Sequence, residues 1–465
     1  MIEQLVREAK RRILSFMHLI EYKLDKQHVE GLLKNYDPAP VSNKRPQKCE
    51  SIAFVITRMV RFHGGQTSVL RLGTELAKQG MRVYYLIYKR QSVEEMEYCA
   101  KENLAGYRGR FMSFGDYLKE SGKKRIEDVD FVCATSWDTV SFAKKLEDAY
   151  KLYFVQDYEP YFYKYGEEFL MCRSTYAQGL HMISLGSWNR DMILKDAEAY
   201  SQLYEEPQNT ENSGNGDTRK GGNPGYERGS ITIPGQSRAY KIDVVDFPYE
   251  PREYTQTDYS SEHKQEQSVS TDNTTLRTAD RHERREVRDY GAYRTRKKIT
   301  IAAYVKFYGK RLPEFIPYML RNTAKKLKKR GIELEVLYFG EAKTFKAPGG
   351  KNLGHLNRAE LTELYRKADF GLVASMSNIS LVPYEMHASG LPVIEFADGT
   401  YTHFLPADSA ILTDITKTDI AQELYAAIRD PQKLRKMHES AMEAMKDLSW
   451  ENTGKQFYGI LRKIW

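Results

Sequence analysis

Cysteine is scarce in this chain, four in 465 residues, at positions 49, 99, 133 and 172. Their spacing matches no metal-ligand pattern and builds no disulfide framework. Neither a zinc site nor an oxidised scaffold is therefore expected, and a reduced, cytoplasmic compartment fits best. Cys133 lies in an apolar run and reads as a small core residue. No apolar stretch approaches the about 20 residues that a membrane span needs. The first twenty residues, MIEQLVREAKRRILSFMHLI, mix acids with bases and lack the apolar core of a secretory signal. Neither sign of charge dominates: 71 Lys and Arg against 63 Asp and Glu leave +8. Such an excess suits nucleotide diphosphates, anionic lipids or nucleic acid and says nothing of the fold.

What is present is enough apolar material for real cores, 41% hydrophobic and 12% aromatic, on a chain long enough for two domains. A strand–helix rhythm begins at residue 51. The apolar run SIAFVIT leads through a glycine loop to a helical QTSVLRLGTELAKQG that stops at Gly80, and then to the strand RVYYLIY. DFVCAT, a helical SWDTVSFAKKLEDAY, KLYFVQ, HMISL and IDVVDF continue the series. The rhythm restarts at ITIAAYV (299–305). Helix 313–330, ELEVLYFG, helix 358–368, DFGLVAS and LPVIEF follow, and 417–465 is helical in pattern. Alternation of this kind predicts α/β architecture with parallel sheets covered on both faces. Two successive series predict two doubly wound domains facing each other across a cleft, with ligands beyond the carboxyl ends of the strands.

Two segments interrupt the pattern. Residues 200–238 and 254–297 are rich in Asn, Gly, Ser and charge and nearly lack aliphatics, which accounts for the low mean hydropathy of -0.63. Such composition buries too little apolar area to offset ordering entropy, so both read as flexible segments. The basic run at 281–298 reads as solvated linker, not as a nucleic-acid contact. At the N-terminus, Ile2, Leu5, Ile13, Phe16, Met17 and Ile20 share one face of a basic amphipathic helix. Packing on its own domain and lying on a membrane surface are both compatible with that pattern.

Five clusters carry chemistry. His63-Gly64-Gly65-Gln66-Thr67 joins a strand to a helix, where backbone N–H groups and the helix dipole suit a phosphate or a developing negative charge; a plain tight turn is the alternative. Phe154 to Tyr163 gathers Gln156, Asp157, Tyr158, Glu159 and several aromatics, with Trp137 and Asp138 upstream. Aromatic faces beside carboxylates suit a sugar, and Asp157 or Glu159 could take a hydroxyl proton; capping is the alternative. Lys306, Lys310 and Arg311 follow a strand and could neutralise a diphosphate without a metal. Gly354-His355-Leu356 precedes another helix. Finally, the loop from Ser377 through Ser380, Leu381, Pro383 and Tyr384 runs into a helix whose first turn holds Glu385, a partner for ribose hydroxyls. Asp128-Val129-Asp130, the one Asp-x-Asp, precedes a strand, so no metal site is expected there.

The 377–394 loop resembles the nucleotide-sugar loop of glycosyltransferase family 4, in which E-x7-E is followed by small residues, Gly, Pro and Val. Here Glu385 and Gly390-Leu391-Pro392-Val393 match, while the first glutamate is replaced by Ser377. Gly64-Gly65 resembles that family's N-terminal glycine loop. Ala134 to Thr139 with Phe154 to Pro160 resembles a WsaF-like subgroup of bacterial rhamnosyltransferases. The resemblance implies a GT-B fold of two Rossmann-like domains. It implies a donor site of Lys306, Arg311, Gly340, His355, Leu356, Ser380, Leu381, Pro383, Tyr384 and Glu385. It also implies catalytic roles for Asp157, Glu159 and His63, and an acceptor or phosphate loop of Gly64, Gly65, Gln66, Trp137, Asp138 and Tyr158.

The implied activity is metal-independent transfer of a sugar, L-rhamnose from dTDP-L-rhamnose, to a lipid-linked bacterial surface glycan, with no cofactor beyond the nucleotide sugar and peripheral membrane contact. A non-catalytic nucleotide- or glycan-binding protein on the same scaffold is the competing reading. The expected boundaries are a helical extension over 1–50, a first domain over 51–253 and a basic linker over 254–297. A nucleotide-sugar domain over 298–448 and a helix over 449–465 that returns to the first domain complete them.

Overall fold

The computed structural model describes residues 2–123, 128–202, 240–249, 288–306, 311–344, 346 and 348–465. The 200–238 and 254–297 segments therefore lie largely outside the described residues, as does Lys310. The chain forms two compact units, one of Met1–Asp246 with Thr453–Trp465, the other of Phe247–Asn452.

The first unit opens with helix α1 (Ile2–Leu33), then alternates β1 (Ser51–Ile56), α2 (Gly64–Lys78), β2 (Arg82–Ile87), α3 (Val93–Asn103), β3 (Arg110–Ser113), α4 (Phe114–Gly122) and β4 (Phe131–Ala134). A short α5 (Val140–Ala143), β5 (Tyr150–Val155), α6 (Glu167–Thr175), β6 (His181–Leu185), α7 (Ser187–Gln202) and β7 (Ile242–Val245) follow. The strands form one parallel sheet in the order β3-β2-β1-β4-β5-β6-β7. Every residue of β1, β4, β5 and β6 is buried. Helices cover both faces of such a sheet, which is why its strands read as unbroken apolar runs instead of alternating ones. Asp130 ties the amino-terminal edge together: its carboxylate accepts from the Glu50 and Ser51 amides and the Ser51 hydroxyl at 2.8–2.9 Å.

The second unit contains β8 (Lys298–Tyr304), α8 (Phe315–Lys328), β9 (Glu333–Phe339), β10 (Lys351–Asn352), α9 (Arg358–Lys367), β11 (Phe370–Leu372) and α10 (Leu381–Ala388). It continues with β12 (Val393–Phe396), β13 (Ala410–Thr413), α11 (Ala421–Arg429) and α12 (Pro431–Met445); α13 (Trp450–Ile464) ends the chain and from Thr453 onward belongs to the first unit. The sheet is again parallel, in the order β10-β9-β8-β11-β12-β13. Ile316, Met319, Leu320, Thr323 and Leu327 form the buried stripe of α8 at helical spacing. In both sheets the strand order reverses next to the first strand of the unit, between β1 and β4 and between β8 and β11. Those reversals are the topological switch points, where adjacent loops diverge and leave a crevice at the carboxyl edge.

Two expectations change, and one that was open is narrowed. Residues 288–297, read as linker, are packed on the second unit. Tyr290 and Tyr293 are buried, their hydroxyls donate to the Gly390 and Asp369 carbonyls, and the Arg288 guanidinium donates to the carbonyls of Tyr365 and Ala368. Composition hides this because tyrosines interleaved with arginine supply apolar area that a count of aliphatics misses. The helix expected over 136–150 is reduced to a 3-10 turn at Trp137–Thr139 and the four-residue α5. Last, α1 is only partly packed on its own unit. Leu32 and Tyr36 pack on Trp137, Met171 and Cys172, whereas Phe16, Met17, Ile20 and Leu24 are 44–62% exposed. Within the first unit, the middle of α13 sets Phe457 edge-on to Phe154 and Gln456 against Asp246.

Candidate functional site

In the second unit, the carboxyl ends of β9, β8 and β11 lie side by side, because these strands are neighbours in a parallel sheet. Gly340 leaves β9 with φ +98, and a Cβ there would fall 2.4 Å from the Tyr304 ring, so only glycine fits. Its amide donates to the Gly354 carbonyl at 3.0 Å, which brings exposed His355 and half-buried Leu356 to the same edge. Lys306 follows β8 and is partly buried. Burial pushes its pKa below the ordinary lysine range; Glu341 opposes that and Arg311 adds to it. Arg311 is buried, lies over the Tyr304 ring and donates to the Ala374 carbonyl at 2.7 Å, bridging the switch point from β8 to β11.

The loop after β11 ends at Ser380, the N-cap of α10. Its hydroxyl caps nothing in the helix, is buried and meets no hydrogen-bond partner among the described residues. A buried polar atom without a partner costs about 1–3 kcal/mol, a cost that a bound ligand would relieve. The first turn of α10 also leaves unpaired backbone amides and the positive end of its dipole at this loop. Glu385 lies one turn along and accepts from the Tyr365 hydroxyl at 3.1 Å. Tyr365, Phe339 and Tyr304 form a row of rings, 5.9 and 5.4 Å apart, running from Glu385 to the cation side of the edge. The structure thus brings Lys306, Arg311, Gly340, Leu356, Ser380 and Glu385 to one edge. Tyr384 does not join them: it is buried against Phe247 and Tyr249, and the expectation of a ligand contact from its side chain is corrected to a core role. Pro383 is buried beside it, while Leu381 is half-buried.

Sequence reasoning missed Glu395. Fully buried on β12, it accepts from the Ser375 hydroxyl at 2.6 Å and from the Ser375 and Phe396 amides at 3.2 Å, with Arg311 close enough to interact. Burial pushes its carboxyl up to about 7 against those hydrogen bonds. It braces the turn that carries Ala374 and so the site of Arg311. An acid within the strand LPVIEF is the signal that was available: a buried charge needs partners.

In the first unit, the corresponding edge holds the glycine loop and the 135–163 segment. His63 caps α2, its Nδ1 accepting from the Gln66 amide at 3.3 Å. With Nδ1 accepting, the neutral ring carries its proton on Nε2, so His63, expected to be catalytic, presents a donor there. Gln66 is corrected as well: its side chain ties down the Arg58 carbonyl and the Val60 amide at 2.7–2.8 Å. Gly64 has open space around its Cα, and Gly65 faces the Gln156 amide.

Asp138 accepts three hydroxyls, Ser136 at 2.5, Tyr88 at 2.6 and Thr57 at 2.7 Å, drawing together the ends of β1, β2 and β4. Glu159 is fully buried, with its two oxygens taken by the Trp137 amide and the Tyr153 hydroxyl at 3.0 and 2.6 Å. Burial raises its carboxyl to about 8. The catalytic role expected for Glu159 is thereby corrected to holding Trp137 in place. Tyr158 is likewise packed against Tyr161 and Tyr176, away from solvent. Asp157 remains half-exposed at the end of β5.

No family model and no curated protein matches the chain. Solved structures do. HepE of Anabaena, in complex with UDP-glucose, superposes with a TM-score of 0.56 at 10% identity over 89% of this chain and 99% of that one. A glycosyltransferase from Rickettsia africae gives 0.56 at 11% over 89% and 98%. WaaG, a glycosyltransferase involved in lipopolysaccharide biosynthesis, gives 0.52 at 14% over 88% and 99%. The chain has the GT-B fold. At these identities the likeness speaks for the GT-B architecture, two parallel sheets with flanking helices, and the chemistry must be argued from the residues.

Proposed function

We propose that the protein is a glycosyltransferase whose second unit binds a nucleoside-diphosphate sugar. The observation that carries this reading is the orphaned Ser380 hydroxyl at the start of α10, on the same strand-end edge as Lys306 and Arg311. A diphosphate there would meet two cations, helix amides and a free hydroxyl, and would need no metal ion. Glu385, held by Tyr365, is the partner for ribose hydroxyls, and the backbone around Leu356 for the base. As the sugar leaves, negative charge grows on the diphosphate, so the same groups stabilise the transition state more than the ground state.

In the first unit, Asp157 is the candidate to take the proton of the attacking hydroxyl, with His63 as a donor. That neighbours in fold include glycosyltransferases, one in complex with UDP-glucose, supports the reading. The finer assignment, L-rhamnose from the deoxythymidine diphosphate sugar, rests on the resemblance of 134–139 and 154–160 to the rhamnosyltransferase subgroup. A lipid-linked glycan acceptor follows from the same resemblance. The exposed apolar residues of α1, flanked by Arg12, Lys23 and Lys26, are suited to lie on an anionic membrane surface.

Titration of the full chain with deoxythymidine diphosphate and uridine diphosphate in parallel tests the donor. Saturable binding of the first, at least tenfold tighter than the second, is the expected result. Binding of neither would remove the proposal, and tighter binding of the uridine nucleotide would replace the donor assignment alone.

A further inference from the structure

A cavity of about 260 Å³ lies in the first unit, under the carboxyl-terminal turns of α1. Its floor is Asp138 with the stacked rings of Tyr88 and Phe142, 3.9 Å apart and inclined by 13°. Trp137 forms one wall. Gln27, Gly31 and Asn35 of α1 and the turn after it form the roof, with Lys89 at the rim. The roof is held down: His28 pairs with Glu168 at 3.0 Å, the Tyr36 hydroxyl meets that of Ser174 at 2.6 Å, and Asp37 pairs with Lys144 at 2.9 Å. The cavity is therefore built by the N-terminal extension closing over strand ends of a Rossmann-like unit, and is absent from either part alone.

We infer that this cavity is a monosaccharide subsite, taking one neutral pyranose unit of the acceptor glycan. Size is the first argument, since sites for drug-sized ligands occupy about 300–1,000 Å³, and 260 Å³ holds a single ring and not a nucleotide. Surface chemistry is the second. Aromatic rings match the C–H faces of a pyranose, while side-chain amides and an ammonium at the rim match its hydroxyls. Charge is the third: the Asp138 carboxylate on the floor repels a phosphate or carboxylate ligand, and while its Oδ2 is taken by Tyr88 and Thr57, its Oδ1 holds the Ser136 hydroxyl and has room for one ligand hydroxyl. The inference rests on the glycosyltransferase reading and adds to it where the acceptor is held.

Gly31 provides a clean test, because a Cβ there meets no atom within 4 Å and glycine within a helix is itself destabilising. Gly31→Ala should preserve the cavity and strengthen α1. Gly31→Trp places an indole at the roof. Ligand-observed NMR titration of the full chain with methyl glycosides, methyl α-L-rhamnopyranoside among them, should show one binder with wild type and Gly31→Ala. Affinity should fall at least tenfold in Gly31→Trp, and several-fold in Gln27→Ala, which removes a rim amide. In every variant deoxythymidine diphosphate binding should stay within twofold, which separates loss of this subsite from failure of the donor reading. Glycoside binding unchanged in Gly31→Trp, or no glycoside bound by wild type, would overturn the inference even if nucleotide binding were intact.

Discussion

The Tyr365 hydroxyl donates to the Glu385 carboxylate across 3.1 Å, joining α9 to the first turns of α10. The bond fixes the carboxylate at the strand-end edge, so the two residues should act together in ligand binding. Glu385→Ala is expected to weaken nucleotide binding about tenfold, near 1.4 kcal/mol, as read by calorimetry. Tyr365→Phe should cost less, since the carboxylate stays and only its orientation is lost. Equal affinity of all three proteins would remove Glu385 from the site.

Lys306 titrates below the ordinary lysine range because it is partly buried. Only its charged form attracts a diphosphate, so nucleotide affinity should fall as pH rises through that lowered pKa, earlier than for an exposed lysine. Lys306→Met should reduce affinity at neutral pH by at least tenfold. Lys306→Arg should keep affinity and flatten the alkaline decline, because guanidinium does not titrate there. A decline identical in Lys306→Arg would assign it to another group.

Glu159 has a folded pKa of about 8, raised by burial from an ordinary carboxyl value of 4.5. For an acid shifted upward, the native state holds a proton that the unfolded state has released between those two values. Its contribution is therefore favourable at low pH and is lost as pH rises from about 4.5 to 8. Glu159→Gln keeps the shape and removes the titration. Thermal unfolding measured across that range should decline less steeply for this variant, and unchanged slopes would contradict the burial argument.

Exposed Phe16, Met17, Ile20 and Leu24 suggest a surface for α1 to lie on. Co-sedimentation with vesicles containing anionic lipid should capture the wild type at low salt. Capture should fall several-fold for Phe16→Asp with Ile20→Asp, with nucleotide binding unaffected. Wild-type protein that stays in the supernatant would dismiss membrane contact by this helix.

A chelator should leave transfer unchanged if Lys306, Arg311 and the α10 amides alone meet the diphosphate. Activity lost on chelation and restored by a divalent ion would show that these cations do not suffice.

Much of the scaffold was legible from local pattern. The buried parallel strands SIAFVI, HMISL and VIEF are apolar runs of strand length, and α8 carries its core stripe at helical spacing, so neither needs a partner to be recognised. The glycine loop, the lysine after β8 and the polar loop before α10 could be found because a strand end followed by a helix start leaves amides and cations at a predictable edge. Charge and residue type in the sequence thus pointed to the strand-end edges where the proposed donor site is placed.

Which side chains reach that edge was decided by the tertiary structure, because burial and pairing depend on residues far apart in the chain. Tyr384 and Glu385 are neighbours, yet one is packed against Phe247 and the other is held by Tyr365. Glu159 reads as a surface acid until Tyr153 and the Trp137 amide close over it. The roof that α1 makes over Asp138 exists only because His28, Tyr36 and Asp37 find partners more than a hundred residues away. Local sequence encodes periodicity and propensity, whereas long-range contacts alone determine which polar group is left without a partner and so left for a ligand.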